Sequence, residues 1–378
     1  MIWLIIFIVS AGLVAWHYII YPAVIATISG LSGRNNRPSF DDGSFPEISI
    51  IVIAHNEADV IEERIQNIKS VDYPSERIEL IVASDASTDR TVELARAAGA
   101  TAFDNTPHNK SETRNMAVDM ATGDIILFTD ADTRYEPTCV RRIVDRYADN
   151  DVGAVCGTLR SESFDEGAIG QGMGLYWRWE QLLRRWQGDL GLLVKMSGAN
   201  MSMRQAAFKS VPEDVDIDQS AAFTALLGGW RTEFAHDAVA HEQFPISTSG
   251  EFSTRQRLTI RALTALCRFR AAFDPRRPLL ALTTFSYWLL RYLIPFLLLV
   301  VLLSSAALST TSRIALVFLV TQIFFYTLAT IGYAADRNNA DLPGVSFAFS
   351  YCWANLGVAV GVIRYISGDR VYAYSSVD

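Results

Sequence analysis

Gly123-Asp124-Ile125-Ile126-Leu127-Phe128-Thr129-Asp130-Ala131-Asp132-Thr133 is an apolar, isoleucine-rich run that stops at two aspartates. Such a run reads as a buried strand. The Asp-X-Asp spacing lets both carboxylates reach one point at the strand's carboxyl end, the edge where ligands of open α/β sheets bind. Two carboxylates side by side repel unless a cation lies between them. Hard oxygen ligands favour Mg²⁺ or Mn²⁺, which in turn would hold a diphosphate. An Asp-rich turn after a strand accounts for the same residues without a metal, so the reading depends on what flanks it.

Upstream, residues 47–54 form a β-branched run ending in His55-Asn56-Glu57, after which Val60, Ile61, Ile65 and Ile68 fall at helical spacing. The pattern repeats, with a strand over 78–83, a turn Ser84-Asp85-Ala86-Ser87-Thr88-Asp89, and a helix over 91–98 closed by Gly99. A short strand over 101–103 and a helix over 111–122 lead into the 125–129 strand. Alternating units of this length predict a parallel sheet with helices on both faces. No Gly-X-Gly-X-X-Gly follows the first strand and no Walker loop is present, which disfavours a dinucleotide dehydrogenase or a P-loop enzyme.

The ordered set Ala54-His55-Asn56-Glu57, Ser84 to Thr91, Asn109-Lys110-Ser111 with Arg114-Asn115, and Gly123 to Thr133 resembles the family 2 glycosyltransferases. These are inverting enzymes of the GT-A fold, among them cellulose, chitin and hyaluronan synthases and many single-transfer enzymes. The resemblance implies an α/β, Rossmann-like nucleotide-sugar-binding domain, here inserted between transmembrane α-helices. It implies that Asp85 contacts the base of the donor, most simply a UDP-sugar, that Ala54, Asn56 and Glu57 line the nucleoside pocket, and that Lys110 sits near base or phosphate. Asp130 and Asp132 would hold Mn²⁺ or Mg²⁺, with Asp130 also beside the donor. Each residue has a plainer reading. Asp85 and Asp89 would cap the helix that opens at Arg90, Lys110 would be a solvated surface lysine, and His55 reads as a structural turn residue.

Residues 174–194 combine aromatics and arginines in helical register, which fits either a helix lying in the headgroup layer or one packed on the sheet with its arginines in water. In the family a similar stretch, with a glutamate at the position of Glu180, precedes a small-residue segment matching Ser197-Gly198-Ala199-Asn200, which adjoins sugar and acceptor. The family's general base is an Asp about three helical turns before a Gly-aromatic-Arg. Counting back from Gly229-Trp230-Arg231 gives Asp218, with Asp216 a rival and Glu213-Asp214 a weaker one. An N-cap for the following helix is the plain alternative for Asp218. A sugar hydroxyl is a poor nucleophile until a positioned base accepts its proton opposite the leaving diphosphate, so a third carboxylate is chemically wanted. The family's Gln-X-X-Arg-Trp is broken here: Gln256 and Arg261 occur at another spacing and the tryptophan is missing. Gln256, Arg257 and Arg261 would then face phosphates of the donor or of a lipid acceptor, or simply form a basic interfacial helix.

The chain is 378 residues long and 50% hydrophobic, with a net charge of −8 and a mean hydropathy of +0.18. Its apolar excess is concentrated in residues 2–28, 292–309, 313–334 and 345–366, each long enough to cross a hydrocarbon core as a helix. The first span lacks a basic start, and Trp16, His17 and Tyr18 interrupt it where a cleavage region needs small residues, so it reads as a retained anchor. Residues 279–291 are expected to lie along the interface, because Arg291 at mid-bilayer is costly. The expected organisation is therefore a transmembrane helix over 1–29, a linker over 30–46 and a GT-A domain over 47–250. Interfacial amphipathic helices follow over 251–291, then three transmembrane helices over 292–366 and a tail over 367–378. Arg34 and Arg37 after the first span, and Arg268, Arg270, Arg276 and Arg277 before the second, place the polar domain in the cytoplasm, while Arg364 and Arg370 count against this. Cys139, Cys156, Cys267 and Cys352 have no paired spacing, which argues against a disulfide framework or zinc site. Only four of the 33 basic residues are lysines; the acidic balance argues against nucleic acid as a partner.

The function expected from the sequence is metal-dependent, inverting transfer from a nucleotide-diphosphate sugar to a lipid-linked or glycan acceptor at the cell membrane. The alternatives are a processive polysaccharide synthase and a non-catalytic membrane scaffold.

Overall fold

A computed structural model of the chain describes all residues except 33–37, 42, 107, 161–166, 243–247, 339–341, 343 and 371–378; for 167–173 and 175 only the backbone is described. Arg34 and Arg37, two of the residues used above to orient the chain, lie outside the described residues.

The chain opens with helices α1 (Ile2–Ala15) and α2 (Tyr21–Leu31), joined without a break by a π-helical turn, Trp16–Ile20. The polar domain then begins with β1 (Ile48–Ala54), α3 (Ile61–Lys69), β2 (Ile78–Asp85), α4 (Thr91–Ala97), β3 (Thr101–Asn105), α5 (Lys110–Met120) and β4 (Ile125–Asp130). All seven residues of β1 are buried, as β-branched side chains in a strand covered on both faces must be. Ile48, Ile50 and Val52 face α3, while Ile51 and Ile53 face the opposite core layer with Ala117 and Val118 of α5. β3, β2, β1 and β4 are parallel neighbours in that order, the doubly wound arrangement read from the sequence.

The second half of the sheet is mixed. After β5 (Arg134–Tyr135), α6 (Cys139–Val144), β6 (Val152–Arg160) and α7 (Gly167–Asp189), strand β7 (Met201–Arg204) runs antiparallel between β4 and β6. α8 (Ile217–Leu227) leads to β8 (Arg231–His241), parallel to β6 and antiparallel to β5. The full order is β3-β2-β1-β4-β7-β6-β8-β5. β4, β6 and β8 thus all end at the edge that carries Asp130.

α9 (Thr248–Arg268), α10 (Pro278–Thr283), α11 (Leu290–Leu308), α12 (Arg313–Arg337) and α13 (Ser346–Ile366) complete the chain. Four helical segments among the described residues are long and apolar enough to cross a membrane: Ile2–Leu31, Pro278–Leu308, Arg313–Arg337 and Ser346–Ile366. Residues 279–291, expected as a separate interfacial piece, are continuous with the second of these through a π turn at Thr284–Leu289. Arg291 in this segment is not a lone charge: its guanidinium is paired, Nη2 lying 2.5 Å from the fully buried carboxylate of Glu180 on α7.

α9 lies along α13, and glycines of α13 allow the approach. A Cβ on Gly361 would stand 2.8 Å from Thr259 Cβ, and one on Gly357 3.0 Å from Arg255 Cβ, the small-xxx-small contact that lets helix backbones meet. α7 packs on β8, on α2 and on α13. Its Trp177 donates to the carbonyl of Leu159 in β6, and Arg184 is buried rather than solvated. The helix therefore packs on the sheet, with one arginine inside.

Candidate active site

The carboxyl edge of β1, β2 and β4 encloses a cavity of about 320 Å³. Ala54, Glu57, Asp85, Lys110, Asp130 and Asp132, six of the residues singled out in the sequence, line it, together with His55. Lys110, the first residue of α5, brings Nζ to 3.4 Å from Asp130 Oδ1, so it is not a solvated surface lysine. Asn56 adopts φ 57°, a left-handed conformation that asparagine tolerates. Its side-chain oxygen accepts from the Thr88 amide at 2.8 Å, tying the loop after β1 to the loop after β2 at the rim.

Asp85 and Asp89 divide the roles that the sequence left open. Asp89 accepts from the Thr91 amide at 3.0 Å and the Ala58 amide at 3.0 Å, so it serves the start of α4. Asp85 does not. Its buried carboxylate accepts from the Asn109 amide at 2.7 Å and Thr113 Oγ1 at 2.8 Å, with His108 Nδ1 at 2.9 Å. These contacts pin the entry to α5 against the end of β2.

Two lining residues were missed by the sequence reading, His108 and Glu242. Glu242 directly follows β8, and the placement of β8 at this edge is the signal that would have found it. It adds a carboxylate to a cavity already holding Glu57, Asp130 and Asp132, and the crowding raises the proton affinity of Glu242, Glu57 and Asp132. Glu242 is pushed up to about 9 by burial, Asp130 and Asp132. Glu57 is pushed up to about 7 by burial, Asp132 and Asp130, and Asp132 is raised by desolvation in the cavity and by Asp130. The negative charge exceeds what Lys110 offsets. A divalent cation fits that imbalance. Among the described residues no three of His, Cys, Asp and Glu group closely enough to cage a metal ion, which suits Mg²⁺ or Mn²⁺ binding through one or two carboxylates completed by water and phosphate oxygens.

Asp216 and Asp218, the two rivals for the base, sit at the start of α8 in opposite environments. Asp216, not Asp218, is the N-cap: its side chain accepts from the Ile217 amide. It also meets Arg261 Nη1 at 2.8 Å and the buried Arg114 at 3.3 Å, and these cations hold its carboxyl below the usual range against the cost of desolvation. Asp218, in the first turn, is pushed up to about 6 by desolvation and by Asp216. Gly198 leaves the room it needs, since a Cβ there would collide with Asp218 Oδ1. Asp218 does not itself line the cavity, but the charges of Lys110 and Asp130 there act on it. The weaker rivals do less: Asp214 pairs with Arg268 at 3.2 Å, and Glu213 is exposed.

Other expected residues fall elsewhere. Asn200 is fully buried, donating from Nδ2 to the carbonyls of Thr158 at 3.0 Å and Ala238 at 3.1 Å, where it bridges β6 and β8. Ala199 is part of the core. Gln256 accepts from Arg364 of α13 at 3.1 Å, and Arg257 is half-buried on the same helix. Neither lines the cavity.

Residues 49–211 match the family model described as Glycosyl transferase family 2. The chain carries a family 2 glycosyltransferase domain. A probable glycosyltransferase of Bacillus subtilis, YdaM, is 24% identical over 219 residues, covering 53% of this chain and 51% of that protein. A beta-monoglucosyldiacylglycerol synthase of Synechocystis sp. is 31% identical over 144 residues, covering 34% of this chain and 29% of the synthase. The chain thus spans about half the length of the first relative and less of the second. Among solved structures, the mannosyltransferase PcManGT of Pyrobaculum calidifontis, in complex with GDP-Man and Mn²⁺, superposes with a TM-score of 0.68 at 21% identity. The match covers 96% of this chain and 100% of that one. The GT-A fold of this domain is therefore shared with a solved structure.

Proposed function

We propose that the chain is an inverting, metal-dependent glycosyltransferase that moves one sugar from a nucleotide-diphosphate donor to a lipid-linked or glycan acceptor at the membrane surface. The observation that carries this reading is the opposed pair at the start of α8. Arg114 and Arg261 hold Asp216 as an anion, and burial, followed by that fixed charge, raises Asp218 to about 6. Neighbouring carboxyls pushed apart in this way mark out an acid–base residue, and a base whose pKa lies a little below the working pH is both deprotonated and able to take a proton.

In this reading the donor's nucleoside lies along Ala54, Glu57 and Asp85, and Lys110 meets its phosphates. Asp130 and Asp132 would hold Mn²⁺ or Mg²⁺, whose charge offsets the negative charge developing on the leaving diphosphate. Asp218 accepts the acceptor hydroxyl's proton as that oxygen attacks the anomeric carbon from the side opposite the diphosphate, so the configuration inverts. Asp216 raises the pKa of the base, while Arg114 and Arg261 hold Asp216 in its charged form. Single transfer is favoured because Arg261 is engaged with Asp216 and Gln256 with Arg364, which removes both from any track for a growing chain.

The donor-binding edge is placed in the cytoplasm, where nucleotide-sugars are made, with residues 47–250 as the transferase unit, α9 at the interface and the apolar helices as its seat in the cell membrane. The Synechocystis relative's name, a diacylglycerol glycolipid synthase, supports a lipid acceptor, and the GDP-Man and Mn²⁺ of the archaeal neighbour support nucleotide-sugar and metal.

The test is turnover of UDP- and GDP-sugars by detergent-purified protein with Mn²⁺ and a lipid extract, comparing wild type with Asp218→Asn. The reading predicts a lipid product bearing one added sugar that vanishes in the variant. A ladder of long chains, or full turnover by Asp218→Asn, would contradict it.

A further inference from the structure

A second cavity, of about 390 Å³, lies where the N-terminal helix, α7, α9, α11 and α13 meet, and it shares no lining residue with the first. Its walls are aromatic, including Tyr176, Trp179 and Tyr351, with Arg255 and Arg291 facing in among them. The two guanidiniums flank one ring, each 5.7 Å from the centroid of Tyr176. Like charges held this close in an aromatic enclosure ask for an anion between or beside them.

Among the described residues, the surrounding ion pairs do not supply enough negative charge. Arg255 pairs with Glu251. Arg291 shares the single carboxylate of Glu180 with Arg184 Nε at 3.7 Å and Lys195 Nζ at 3.8 Å, while Tyr287 donates to the same group. Three cations against one carboxylate leave a positive surplus in a buried setting, and Lys195 is correspondingly pushed down to about 7, by burial first and by Arg291 and Arg184 after it.

The backbone around the cavity is irregular in a way that fixes its shape. The π turns Trp16–Ile20 and Thr284–Leu289 face each other: Trp16 Nε1 donates to Ser286 Oγ at 2.9 Å, and His17 Nδ1 donates to the Ser286 carbonyl at 2.8 Å. π turns inside helices occur frequently at functional sites, and His17 lines this cavity.

We propose that this cavity receives the phosphate-bearing headgroup of a membrane lipid, with Arg255 and Arg291 as its ligands. Guanidinium groups bind phosphate through paired, charge-assisted hydrogen bonds, and the position among apolar helices suits a ligand whose tails stay in hydrocarbon. The proposal rests on the membrane placement given above and not on the transfer chemistry, so it is tested without donor or metal.

The full-length protein in detergent would be titrated with dioctanoyl phosphatidic acid, with dioctanoylglycerol and with inorganic phosphate, reading bound mass by native mass spectrometry and the unfolding temperature. Arg255→Gln removes one ligand without orphaning Glu180, and Ala354→Phe fills the cavity from α13. The expected result is saturable binding of phosphatidic acid with a raised unfolding temperature and no comparable effect of dioctanoylglycerol. Each variant should weaken that binding about tenfold or more, and Asp218→Asn should leave it unchanged. Competition by inorganic phosphate would support recognition through the phosphate. Equal binding of the two lipids, unaltered binding in Ala354→Phe, or binding of inorganic phosphate without phosphatidic acid would overturn the proposal.

Discussion

Asp218 and Asp216 differ by two positions and by almost everything else that matters to a carboxyl group. Asp216 has two arginines and a helix amide; Asp218 has a glycine opposite it and a fixed negative neighbour. If Asp218 is the base, only its ionised form acts. With its pKa raised to about 6, kcat/KM at saturating metal should be flat above that pH and fall about tenfold for each unit below it. Asp218→Asn should cost about 10² to 10⁴ in kcat with donor binding intact. Arg261→Met, which removes one of the cations on Asp216, should act on the pH profile as well as on rate, a change a purely structural arginine would not produce. For the acidic pair, Asp132→Asn should raise the Mn²⁺ concentration needed for half-maximal activity, measured by metal titration; an unchanged requirement would remove Asp132 from the metal site.

At the scale of elements, the parallel half of the sheet was legible because its strands are local, β-branched and separated by helices of ordinary length. β4 could be read directly from 125–130. The mixed half was not. β7 is four residues long and owes its place to pairing with β4 and β6, contacts no local pattern encodes. For the same reason Glu242 went unseen, and Asn200 and Ala199 were expected beside the sugar although they are buried between strands. Leu127, fully buried in β4, should cost about 2 to 5 kcal/mol on truncation to alanine, read as a loss of thermal stability. Glu180 joins α7 to α11 by a buried ion pair. Glu180→Ala strands three cations and should cost about 3 to 5 kcal/mol, whereas a change near zero would mean water already screens the cluster.

Over the whole molecule, the four apolar segments were visible from composition alone, since nothing but length and hydropathy is needed to find them. How they join the sheet domain was not visible, because the joints are made by particular pairs: Arg291 with Glu180, Gly361 with Thr259, and Arg277 Nη1 with the last carbonyls of α8 at 2.9 Å and 3.2 Å. Arginine at a helix's carboxyl end is favourable, so one of the residues used to orient the chain across the membrane also caps the helix that starts at Asp216. The cavity around Arg255 and Arg291 lies among these joints.

The most direct test of the account is the anomeric configuration of the product formed from an α-linked nucleotide-sugar by wild type and by Asp218→Asn, followed by NMR of the isolated lipid. The predicted result is a β-linked single sugar from the wild type, formed at least about a hundredfold more slowly by the variant. An α-linked product, or the same β-linked product at an undiminished rate from Asp218→Asn, would contradict it.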